Sequence, residues 1–152
     1  MEFSTIQQVE HTEVVKISNV LYTGIVHVTG GRNGAAQSND GKLDISLTPP
    51  GAKGNGTNPE QLLAAGWSAC FIGAMQFNAA KLGISLPQNV SADTSIDLAT
   101  NEDGFFLQAK LQINLPGLAT DDARKIVEMA HQTCPYSKAT RGNINMQISV
   151  SV

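Results

Sequence analysis

The spacing of apolar positions changes several times along the 152-residue chain, and each change marks a predicted element. "VVKIS" and "LYTGIVHV" read as extended segments, the second giving way at Gly30-Gly31 and resuming after Asn33-Gly34. "NDG" at 39–41 signals a turn, and "KLDISLT" sets Leu43, Ile45 and Leu47 on one face, the two-residue period of a half-covered strand. The first third is thus predicted to be a small antiparallel meander.

"PPGAKGNG" holds neither a helical nor a strand period, and it ends in "TNPEQ". Asn58 fits the N-cap, Pro59 fits N1, where a missing N–H is harmless, and Gln61 is placed to close a capping box. The predicted helix runs to about Lys81, with Gly83 as its stop. Nearly every position from Leu62 to Ala80 is apolar or small, so this helix has no broad solvent face. It is expected at the centre of the structure, packed on most sides.

"VSADTSIDLA" and "FFLQAKLQINL", joined by "NEDG", predict a second hairpin. After Pro116-Gly117, "DDARKIVEMAHQT" predicts a shorter helix with acids in its first turn, as the helix dipole prefers. Pro135 closes it near Cys134. "NINMQISV" alternates Ile144, Met146, Ile148 and Val150, a strand with one covered face. The order gives an α+β class, antiparallel sheet wrapped on a long buried helix. Without a repeat, linker or low-complexity tract, residues 1–152 read as one domain.

Composition narrows the function. With 41% apolar residues, 15% charged and a net charge of −3, the chain is a folded globule without a basic field, so no nucleic-acid or anionic-membrane partner is expected. Polar residues interrupt the uncharged stretch 61–80, so it reads as a buried helix rather than a membrane span. No signal-peptide pattern opens the sequence, and a cytoplasmic location is expected.

The chain holds two cysteines, Cys70 in mid-helix and Cys134 after the second helix. In a reducing compartment two cysteines rarely form a static bridge, which leaves a catalytic or redox pair, or two inert buried thiols. At 64 residues apart they form no CxxC motif, and spacing alone does not decide their contact. A reactive buried thiol needs a cation to become a thiolate, and Arg32 in "TGGRNG" is the most suggestive of ten Lys and Arg. Arg141 reads as a turn-holder or helix-end cap. Glu60, in the first helical turn, either supports the dipole or aims an arginine fork. It lies ten residues, about 15 Å of helix, from Cys70. Shared service in one site therefore requires two crossed copies of the helix, or an arginine that spans the gap. A metal set of His27, Cys70, His131 and Cys134, and a Cys-His hydrolase using His131, remain open at this point.

"TGGRNG", "NDGKLD", "GTNPEQLLAAGWSACF" and "CPYSKATRGNI" together resemble the organic hydroperoxide resistance proteins, the thiol peroxidase branch of the OsmC-like superfamily. The resemblance covers nearly the whole chain from about Leu21. It implies an OsmC-like fold and an intertwined, cytoplasmic homodimer with two interfacial sites and no cofactor or metal. It places the peroxidatic cysteine on Cys70, the resolving cysteine on Cys134, the site arginine on Arg32 and its glutamate partner on Glu60. It implies reduction of organic and fatty-acid hydroperoxides to alcohols through a Cys70 sulfenic acid and a Cys70–Cys134 disulfide, recycled by a dithiol such as the dihydrolipoyl groups of lipoylated proteins. A non-catalytic ligand-binding or stress protein of the superfamily is the alternative. Two features depart from the pattern: an amino-terminal extension over about residues 1–18, and a short "TPPGAKGNG" loop.

Overall fold

The turn chemistry of the first third produces a three-stranded sheet in the computed structural model, which describes residues 7–152. The strands are β1 (Val26–Thr29), β2 (Ala35–Ser38) and β3 (Asp44–Ser46), antiparallel in that order. The predicted meander is present but shorter than its apolar pattern. "VVKIS" forms no strand, because no described backbone lies alongside to pair with it, and Val14, Val15 and Ile17 are exposed. Residues 1–6 of the expected extension lie outside the described residues.

Helix α1 (Pro59–Leu82) begins as its caps dictate. The Asn58 side chain accepts a hydrogen bond from the Gln61 backbone N–H at 2.9 Å. The reciprocal half of the box is absent, since Gln61 Oε1 accepts instead from the Thr57 hydroxyl at 2.7 Å. Gly83, at φ 66°, takes the left-handed conformation that ends the helix.

Strands β4 (Ser91–Asn101) and β5 (Gly104–Asn114) form the predicted hairpin, and α2 (Thr120–Thr133) follows. A short helix α3 (Pro135–Thr140) comes next, then β6 (Asn145–Ser151). Two sequence expectations change here. Pro135 does end α2, but it also occupies N1 of α3, so one non-helical residue, Cys134, joins two helices. And β6 pairs parallel to β5, from Gln108↔Asn145 to Asn114↔Ser151, so the second sheet is mixed rather than antiparallel. The physical reason is the connection: α2 and α3 form the long crossover that returns the chain to the same end of the sheet.

Both long helices lie against the second sheet. Trp67, Phe71, Met75 and Ala79 of α1 meet Ala109, Leu111 and Ile113 of the central strand β5, and Ala123, Ile126, Val127 and Ala130 of α2 complete the core. The first sheet gives this core no residue. Helix α1 is therefore covered on one stripe rather than on most sides, with Leu62 at the margin and Phe77 57% exposed. By length and composition α1 could cross a membrane, yet its buried stripe is an interior seam of this fold.

Candidate active site

Backbone closure at two glycine turns builds the first half of the site. Gly30 and Gly31 have φ of 71° and 61°, and a single 3-10 turn, Gly31–Asn33, carries Arg32. Gly34 then passes so close to the strand before it that an added Cβ would stand 1.7 Å from the Thr29 carbonyl oxygen. The "PPGAKGNG" loop closes in the same manner. Thr57 N–H donates to the Ser46 carbonyl at 3.0 Å, and Thr48 N–H to the Thr57 carbonyl at 2.9 Å. That closure sets the start of α1 beside the first sheet, and Glu60 meets Arg32 there. The guanidinium donates from Nη1 to Oε2 at 3.0 Å and from Nη2 to Oε1 at 2.6 Å, a two-pronged fork. The Glu60 side chain is 11% exposed and that of Arg32 44%. The fork holds the Glu60 carboxyl below its ordinary range and raises the guanidinium further, so both stay charged.

The second half is the thiol pair. Cys70 and Cys134 are both free, with their sulfurs 3.3 Å apart. Cys134, not Cys70, is the more deeply buried, with no exposed surface against the partial exposure of Cys70. The Cys134 backbone is held on both sides: its N–H donates to the Ala130 carbonyl at 2.8 Å and its carbonyl accepts from the Lys138 N–H at 2.9 Å. Burial pushes the Cys70 thiol above its ordinary value, the backbone N–H of Tyr136 pulls it down, and Cys134 adds to the rise. The Tyr136 ring lies over Gly66, one turn before Cys70, where a Cβ would come within 2.7 Å of the phenol oxygen.

Cys70 thus meets Cys134, and Arg32 meets Glu60, but the two pairs remain apart within one chain, separated by about 15 Å of helix. The fork instead borders a depression of about 480 Å³ walled by Leu98, Phe105, Phe106 and Ile144. The two phenylalanines are the lining that the strand reading leaves unassigned. Neither enters the core: Phe105 and Phe106 are both exposed.

His131 sits at the end of α2, with Nδ1 buried and unpartnered, and both burial and the nearby Arg141 charge favour its neutral form. Arg141 caps that helix end, donating from Nη1 to the His131 carbonyl at 2.8 Å. His27 lies exposed on β1. Among the described residues no three His, Cys, Asp or Glu side chains gather into a metal-binding group.

The OsmC-like protein family model matches residues 52–149. The organic hydroperoxide resistance protein of Xanthomonas axonopodis pv. citri is 47% identical over 136 residues, covering 87% of this chain and 96% of the relative. Among solved structures, an organic hydroperoxide resistance protein OsmC from Legionella pneumophila superposes with a TM-score of 0.82 at 43% identity, covering 88% of this chain and 100% of that one. One from Vibrio cholerae, with captopril bound in one of its active sites, has a TM-score of 0.82 at 36% identity and covers 89% and 95%. With long relatives, solved folds and the family model all in agreement over these same elements, the chain belongs to the OsmC-like family, in its organic hydroperoxide resistance group.

Proposed function

We propose that the chain is a cysteine-dependent peroxidase that reduces organic hydroperoxides, those of fatty acids included, to alcohols. The observation that carries the proposal is the pair of free sulfurs 3.3 Å apart. The more accessible Cys70 attacks the distal peroxide oxygen as thiolate; the O–O bond breaks, the organic group leaves as alcohol with a proton, and Cys70 becomes a sulfenic acid. Cys134 then forms the disulfide as water leaves. An external dithiol, such as the dihydrolipoyl group of a lipoylated protein, restores both thiols by exchange.

The fork of Arg32 and Glu60 belongs to the same reaction. A buried thiol resists ionisation, and a fixed guanidinium offsets that resistance while orienting the peroxide. Because Arg32 is tied to Glu60 of its own chain, it serves the Cys70 of a second copy. The functional unit is then a homodimer, with α1 crossing its counterpart and each site built from both chains. Residues 1–152 act as one domain in the cytoplasm. Apolar walls such as Phe105 and Phe106 favour alkyl over inorganic peroxide, at about 0.8 kcal/mol per buried substrate CH₂.

Mass spectrometry after one equivalent of cumene hydroperoxide tests the proposal. A Cys70–Cys134 disulfide and one equivalent of alcohol are expected. Cys70→Ser abolishes turnover, whereas Cys134→Ser reacts once and recycles poorly. Full steady-state activity in Cys70→Ser would overturn the assignment of Cys70, and thiols left untouched in the native chain would favour a non-catalytic member of the family.

A further inference from the structure

Two polar side chains are buried among the described residues, Asn78 at 2% exposure and Ser137 at 0%. Each makes a hydrogen bond between α1 and the segment that carries Cys134. Trp67 Nε1 donates to Ser137 Oγ at 3.2 Å, and Asn78 Nδ2 donates to Thr133 Oγ1 at 2.9 Å. Along α1 the order is Trp67, Cys70, Asn78, and their partners run in reverse as Ser137, Cys134, Thr133. The thiol contact is thus bracketed by two polar ties.

Resting on the peroxidase reading, we infer that these ties are positioning devices for the resolving step, holding Cys134 in register with Cys70 so that the sulfenic acid closes to the disulfide before a second peroxide reaches it. Apolar packing alone tolerates sliding of one helix along another, whereas a buried hydrogen bond has one register and leaves a costly orphan if displaced. The register matters because bond formation requires the sulfurs to approach by only about 1.3 Å, from 3.3 Å to a bond near 2.0 Å. The Cys134 backbone is hydrogen-bonded on both sides and has little local freedom with which to search.

Two reactions compete for the sulfenic acid. In closure, the Cys134 sulfur bonds to the Cys70 sulfur, the S–O bond breaks, and the hydroxyl leaves as water with the Cys134 proton. In overoxidation, a second hydroperoxide transfers its distal oxygen to the Cys70 sulfur, its O–O bond breaks, an alcohol leaves, and a sulfinic acid remains. Loosening either tie shifts the partition toward the second.

The test titrates the full-length reduced protein with cumene hydroperoxide and measures, by mass spectrometry, the ratio of disulfide to Cys70 sulfinic acid. Thr133→Val removes a hydroxyl at constant shape from an exposed residue, so the fold is kept. Trp67→Phe with Ser137→Ala deletes donor and acceptor together and leaves no orphan. Each is expected to reach half sulfinic acid at roughly tenfold less peroxide than the native chain, the scale of a small misplacement of reacting groups. Thr133→Ser retains the hydroxyl and is expected to restore the native ratio, which a purely structural role would not require. A native partition in both folded variants overturns the positioning role and leaves the peroxidase reading standing. A native chain that forms no disulfide overturns the peroxidase reading itself.

Discussion

Glu60 and Cys70 have acidities displaced in opposite directions, and the contrast defines their tasks. The Arg32 fork holds Glu60 below the ordinary carboxylate value of 4.5, so the ion pair persists at neutral pH and dissolves only in acid below that value. Burial lifts Cys70 above the ordinary thiol value of 9.0, so in one chain by itself the neutral thiol prevails at pH 7. In the two-chain site proposed here, the Arg32 guanidinium offsets that rise. Arg32→Ala is therefore expected to move the pH midpoint of Cys70 reactivity upward and to slow peroxide consumption by about 10²–10³ at neutral pH. Arg32→Lys is expected to recover little, since an ammonium cannot make the two-pronged contact with Glu60. Ultraviolet thiolate titration beside stopped-flow oxidation checks both, and an unmoved midpoint in Arg32→Ala would remove Arg32 from the reaction.

At the scale of elements, the turn that presents Arg32 depends on one glycine for space. A Gly34→Ala side chain would collide with the Thr29 carbonyl, which is backbone and has nowhere to move. The expected result is a local loss of roughly 1–3 kcal/mol. It is read as faster amide exchange in β1 and β2, with peroxidase activity falling and the exchange of β5 little changed, because the first sheet shares no core residue with the second. Such local signals were legible in the sequence: Asn58, Pro59 and Gly83 bound α1 as they stand, and the Gly-Gly turn does carry Arg32. Direction was not legible, since alternation along "NINMQISV" is the same for a parallel and an antiparallel strand. Helix α3 was hidden because proline stops one helix and starts another with the same residue. The thiol contact spans 64 positions and the fork 28. No local pattern encodes either, because each contact depends on how distant elements pack in the fold.

For the whole molecule, the apolar surface that one chain leaves uncovered is the feature that the proposed homodimer accounts for. Val20, Leu21, Tyr22, Val26 and Val28 are exposed before and along β1, as are Phe77 on α1 and Phe105 on β5. Patches of this kind on a folded protein mark protein, membrane or ligand contact sites. The homodimer proposed here predicts a sedimentation mass of two chains and a melting temperature that rises with protein concentration, each tenfold dilution removing about 1.4 kcal/mol per dimer. A monomer with concentration-independent melting would refute it. The parallel placement of β6 has a consequence for synthesis. Gln108 waits for Asn145, so the sheet that backs α2 closes only after both α2 and α3 have been made. Until then α2 lacks the strand it lies against, while the ties from Trp67 and Asn78 to the Cys134 segment already have both partners. Chain order therefore sets an assembly order: α1, α2 and α3 can seat on the β4–β5 hairpin first, and β6 then closes the sheet beside them.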